Sequence, residues 1–179
     1  LDKKIFAIIK KLKKSKRNEY ELTDAIKNLA ENEKIYCIKS KQWLPIINAY
    51  DLLKADKILR KNKNIVGKNS KIHGSVKNSS IGNNCMINGN VKNSIIMDNT
   101  KIGKGSVVEN SVIGSNVYFQ GKAIAKNNAV SMVKNKKINI GRIGCIISDN
   151  VKAKNIVIKT GCKIWPNKSV SNMVILQDL

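Results

Sequence analysis

The chain has 179 residues, 42% hydrophobic but only 4% aromatic, and its 34 Lys and Arg against 12 Asp and Glu give a formal charge of +22. It is long enough for one core or two small ones, and an apolar set dominated by Ile and Val favours strands. The lysines are spread along the chain without interleaved aromatics and Arg is scarce, which points away from nucleic acid as a partner.

No apolar run is long enough to span a membrane, and no charged-then-apolar leader with a cleavage site is present. The expectation is a cytoplasmic chain with no membrane partner and reduced thiols. Cys37, Cys85, Cys145 and Cys162 have no C-x-x-C spacing, so no metal site is expected.

In chain order, Ile5, Ile8, Ile9 and Leu12 carry helical spacing, and "ELTDAIKNLAENEK" and "DLLKADKIL" read as two further helices. Thr23 or Asp24 is expected to cap the first of these and Asp51 the second, each accepting from a free N–H of the first turn. Between them "KIYCIKS" alternates like a strand. The Lys-rich stretch 61–64 reads as a linker, which divides the chain into a small α/β segment, 1–60, and a second domain, 65–179.

From Ile65 the period changes. Val66, Ile72, Ile81, Ile87, Ile96, Ile102, Val108 and Ile113 each open a unit of about six residues, with Gly directly after several of them. This is the hexapeptide repeat, in which three short strands meet at three corners and one aliphatic per unit points inward. Gly or Asn relieves corners that need positive φ. Small residues follow four positions after the inward one, so Cys85 and Cys162 are expected to fill the core.

Two tracks, Val66–Ile81–Ile96 and Ile72–Ile87–Ile102, run at a spacing of 15, and the next step, Ile96 to Ile113, is 17. A full coil of three hexads needs about eighteen residues. One side of the early coils is therefore shortened, and the longer step is a change at one corner. The pattern lapses at about 120–142, which is expected to be a loop thrown out from a corner, and resumes with Ile147, Ile158, Ile164 and Val170. The lone His73 falls at a solvent-facing position.

Several stretches resemble the archaeal sugar-1-phosphate nucleotidylyltransferases that carry an acetyltransferase domain, relatives of the UDP-N-acetylglucosamine pyrophosphorylases. "SKRNEYELTDAIKNL" at Ser15–Leu29 resembles the family's S-x-R-G-E-Y-E-L-T-D-A-I, "YDLLKADKIL" its P-W-D-L-L-x-A-N, and "GRIGCIISDN" its R-R-K-L-G-A-I-I-G-D-N. The resemblance covers nearly the whole chain. It implies a mainly β chain: a left-handed parallel β-helix, normally a homotrimer, preceded by the remnant of a Rossmann-like nucleotidyltransferase domain. Sugar phosphate and nucleotide substrates, and Mg²⁺, would belong to the full-length parent.

The phosphate-cradling G-x-G-T-R loop of that family is absent from these residues, so this chain alone is not expected to transfer a nucleotidyl group. Pro45 stands at the family's metal-binding Asp. Glu19, Asp24, Trp43 and Asp51 match its substrate-pocket motifs; exposed helix starts, packing and capping explain the same residues.

In "NSIIMDNTKIGKGSVVENSVIG", Lys104 occupies the position of the family's acetyltransfer base, a His, and Val107 that of a Tyr. Lysine is charged at neutral pH unless desolvated, so no catalytic residue is secure and acetyl transfer is expected to be impaired. A stretch of about ten residues, containing the family's N-F-G-A-G-T, is expected to be missing by comparison. Lys122 and Arg142 are candidates to meet acetyl-CoA or its acceptor. Two alternatives stay open: a degenerate, non-catalytic β-helix acting as scaffold or regulator, and a hexapeptide acyltransferase using acetyl-CoA.

Overall fold

The computed structural model describes residues 3–41, 43–133 and 136–179. The chain divides into two compact units, Leu1–Trp43 and Leu44–Leu179, so the third helix belongs with the repeats and not with the first two.

In the first unit, α1 (Lys4–Ile9) packs on α2 (Leu22–Ala30). Ile5, Ala25 and Leu29 are buried, with Ile8, Ile9, Leu12, Ile26 and Ile35 packed around them. Neither Thr23 nor Asp24 caps α2. Its N-cap is Glu21, which makes no side-chain cap bond, because its carboxylate is engaged instead by Arg17 and Ser15. Arg17 and Ser15 hold the Glu21 carboxyl below its ordinary range, and Glu21 in turn raises the Arg17 guanidinium.

"KIYCIKS" is not a strand. Among the described residues no strand pairs with it, and Tyr36 and Ile38 are left 79% and 96% exposed. Cys37 beside them is exposed, unlike the other three thiols.

The second unit opens with α3 (Asp51–Leu59), whose N-cap is Tyr50. Asp51 does not cap the helix; it lies inside the first turn, and its Oδ2 accepts from the N–H of Ile47 and Asn48 at 3.0 and 2.8 Å, closing the preceding turn. Arg60, at the helix end, is buried and paired with Asp56 at 2.6 Å, and Asp56 also accepts from the Ser80 hydroxyl. The end of α3, just ahead of the expected linker, is thus anchored to the second coil.

From Ile65 the chain forms a parallel β-helix of about six coils, the architecture expected of a left-handed hexapeptide-repeat β-helix. Its first face stacks Ile65–Val66, Ser80–Ile81, Ile95–Ile96, Val112–Ile113, Ile146–Ile147 and Lys163–Ile164. The second face begins with Lys71–Ile72, Met86–Ile87 and Lys101–Ile102, and the third with Ser75–Lys77, Asn90–Lys92 and Val107–Glu109. In the later coils three longer strands, Tyr118–Ala123, Lys152–Ile158 and Ser169–Ile175, continue both.

Each face of a coil points one residue inward, so the core is a stack of Ile81, Ile87 and Val91 on Ile96, Ile102 and Val108, then Ile113, Phe119 and Ala123. Cys85 and Cys162 are buried in it, as the spacing predicts, and Cys145 joins them.

The two extra residues lie at one corner. His73–Gly74 and Asn88–Gly89 join the second and third faces in the first two coils, whereas the third coil uses Gly103–Ser106, with Gly105 at φ +77. The corners also explain the abundance of asparagine. Asn69, Asn84, Asn99, Asn116, Asn150 and Asn167 stack at a single corner, all at positive φ. Their amides bond from coil to coil at 3.0–3.3 Å, Asn69 to Asn84 to Asn99 and Asn116 to Asn150 to Asn167. Asn tolerates the left-handed region, and its side chain then extends the ladder as stacked amides do. At another corner the hydroxyls of Ser79, Ser94 and Ser111 each accept from the next coil's backbone N–H.

The segment at about 120–142 begins within the sheet, since residues up to Ala123 pair with both neighbouring coils. The excursion proper contains an antiparallel hairpin, Val130–Val133 with Lys136–Asn139. At its base Ala129, Ile143 and Ile146 are buried, with Tyr50, Leu53 and Ile140 packed against them.

Candidate functional site

The hairpin leans on the turn after Lys152–Ile158, leaving a groove of about 990 Å³. Three contacts fix it. Lys163 Nζ donates to the Met132 carbonyl at 2.8 Å and to Asp178 at 3.1 Å, and Thr160 Oγ1 donates to the Ile124 carbonyl at 2.9 Å. Gly161, at φ +86, lies so close to the Val130 carbonyl that a Cβ there would collide with it.

Lys122, Lys126, Lys137 and Lys159 line the groove together with the half-exposed Ile124 and Met132. Ser131, on the inner side of the hairpin, is buried and its hydroxyl has no partner. A basic rim over an apolar wall suits a ligand that is anionic at one end and apolar at the other.

Lys122 lies in the groove wall and on the third face, in register with Val107 on one side and Val157 on the other. Lys104 is exposed in the lengthened corner just before Val107, and Gly121 behind Lys122 donates to Ser106 Oγ of that corner at 3.2 Å. Lys104, Val107 and Lys122 are therefore gathered at one corner of the β-helix. Arg142 does not line the groove itself; its Nη1 donates to Asn127 Oδ1 at 3.2 Å, and Asn127 is part of the lining.

The other candidates fall elsewhere. Glu19 and Asp24 are exposed in the first unit, where Trp43 is 84% exposed, whereas Asp51 serves the turn before α3. Among the described residues no three His, Cys, Asp or Glu side chains come together to hold a metal ion.

Sequence reasoning missed Lys126 and Lys137, which lie where the hexad pattern lapses. The signal available was the alternation of Val130, Ser131 and Met132, which marks a hairpin strand that can line a pocket.

Comparison with known proteins places these features in a family. A "Bifunctional protein GlmU" of Methanocaldococcus jannaschii is 37% identical over 217 residues, covering 92% of this chain and 53% of that protein. One from Methanococcus maripaludis is 29% identical over 229 residues, covering all of this chain and 56% of its own length. The chain thus spans about half the length of the curated relatives it matches. A match of 229 residues to a chain of 179 also leaves about fifty relative positions without a counterpart here. The family described as GMPPB C-terminal domain matches residues 55–178, from within α3 through the last coil, and the chain belongs to that family.

Proposed function

We propose that this chain is the C-terminal part of a sugar-1-phosphate nucleotidylyltransferase. The upstream part would bind the nucleotide and sugar phosphate, and the β-helix would assemble a homotrimer. The observation that carries the reading is the bare apolar surface of the first unit. Phe6, Tyr20, Leu22, Tyr36, Ile38 and Trp43 are all more than half exposed around a core in which, among the described residues, three side chains are buried. Such a surface calls for a covering sheet, and the relatives are about twice as long.

Mg²⁺ and the nucleotide would be held by residues upstream of this chain. For acetyl-CoA the groove offers Lys122, Lys126, Lys137 and Lys159 to phosphates and an apolar wall to the pantetheine arm. Lys104 stands exposed where the family's base is expected, which favours binding without efficient acetyl transfer.

The full-length gene product is to be assayed with UTP, a sugar 1-phosphate and Mg²⁺ for pyrophosphate release, and separately with acetyl-CoA and an amino-sugar phosphate. Nucleotidyl transfer with little or no acetyl transfer is expected. Acetyl transfer alone would make the protein a hexapeptide acyltransferase, and neither activity would make it the non-catalytic scaffold.

A further inference from the structure

The second face of the β-helix carries a small array that the groove and its neighbours do not use. Register places six outward side chains in two rows across three strands. Tyr118, Lys152 and Ser169 form one row and Gln120, Lys154 and Ser171 the other. Residues within a row are about 4.8 Å apart and the rows about 7 Å apart. Phe119 and Ala153, between the rows, point into the core and leave the outer surface to these six.

All but Gln120 line a shallow groove of about 510 Å³. The array contains no carboxylate, and among the described residues neither Lys152 nor Lys154 forms an ion pair. Two ammonium groups on one strand therefore face solvent side by side, each beside a serine hydroxyl. At the other edge the Tyr118 hydroxyl donates to Gln120 Oε1 at 3.3 Å, which holds the ring in place beside the lysines.

We propose that this array is a binding site for a nucleoside diphosphate. Each phosphoryl group meets one lysine, with Ser169 and Ser171 donating to the same oxygens, because charge-assisted bonds to paired cations favour a doubly charged anion over a single phosphate. The base lies on the Tyr118 ring, one strand spacing from the lysines and two from the serines, and a planar ring gives a sequence-tolerant stacking surface. The site is distinct from the hairpin groove, since the two linings share no residue. It does not depend on the activity proposed above.

The test is equilibrium dialysis of the full-length protein against UDP and, separately, inorganic pyrophosphate, counting sites per chain. The double variant Lys152→Ala/Lys154→Ala is expected to lose one UDP site per chain or weaken it by about tenfold or more. Tyr118→Ala is expected to weaken UDP several-fold and leave pyrophosphate unchanged. Lys68→Ala/Lys71→Ala, exposed in the first coil and three coils from Tyr118, is expected to leave both unchanged. Circular dichroism confirms that these exposed substitutions leave the fold intact. The proposal is overturned if the Lys152/Lys154 variant keeps the site count and affinity, or if the Lys68/Lys71 variant causes the same loss, which would mark attraction to net charge alone. An unaffected Tyr118→Ala would overturn the nucleoside and leave only a bare anion.

Discussion

Phe119→Ala is the substitution that most directly probes how the coils are filled. Phe119 is fully buried and lies over Ile102 of the coil below. The coil makes room for the ring by using Ala123 where the coil below has Val108, and the coil above places Ala153 over it. An aromatic side chain of this kind buries about 200 Å², or about 5 kcal/mol at about 25 cal/mol per Å². Core Phe→Ala substitutions cost about 3–5 kcal/mol.

The neighbouring alanines carry only methyl groups, too short to fill the hole, so the upper part of that range is expected, about 4 kcal/mol. Phe119→Leu should cost about 1–1.5 kcal/mol. Urea and thermal unfolding followed by far-UV circular dichroism measure both, and 4 kcal/mol corresponds to a fall in Tm of about 8–16 °C for a chain of this size. A loss below about 1 kcal/mol for Phe119→Ala would refute the packing argument.

Other outcomes follow from the corners and thiols. Asn99→Ala removes a ladder amide at φ +59 and should cost about 1–2 kcal/mol in urea unfolding, with Asn99→Gly costing less. Gly161→Ala should detach the hairpin, seen as faster limited proteolysis between Ala125 and Ile140 while the coils stay protected. Ellman's reagent should find one reactive thiol in the native chain, Cys37, and four after denaturation.

Burial pushes the Cys145 thiol up to about 12 from an ordinary value of 9.0. Between those values the unfolded chain has lost a proton that the native chain keeps, so stability falls as pH rises through that window. Cys145→Ala should flatten the fall in urea midpoint between pH 9 and 11 relative to the unaltered chain.

The repeat was legible because each hexad exposes a single inward aliphatic at a fixed spacing, and Ile72, Ile87 and Ile102 do stack in register. The step to 17 predicts a change at one corner. Only the structure locates it at Gly103–Ser106, since a two-residue insertion leaves the aliphatic tracks on either side unchanged. The caps were misread because α2 already begins at Leu22, which puts Thr23 and Asp24 inside its first turn, and because Asp51 closes the turn before α3 instead. "KIYCIKS" has a strand's alternation but no strand beside it, and alternation alone cannot supply one. The candidate groove was half legible. Lys122 was reached through motif resemblance, whereas Lys126, Lys137 and Lys159 come together only when the hairpin folds against the last coils.

The most direct measurement of the central claim is the coding DNA immediately upstream of the Leu1 codon. The account predicts an in-frame extension containing G-x-G-T-R and a downstream Lys, the phosphate cradle of a nucleotidyltransferase. A stop codon or a start site just ahead of Leu1 would contradict it, leaving a β-helix with no domain to cover Tyr36, Ile38 and Trp43.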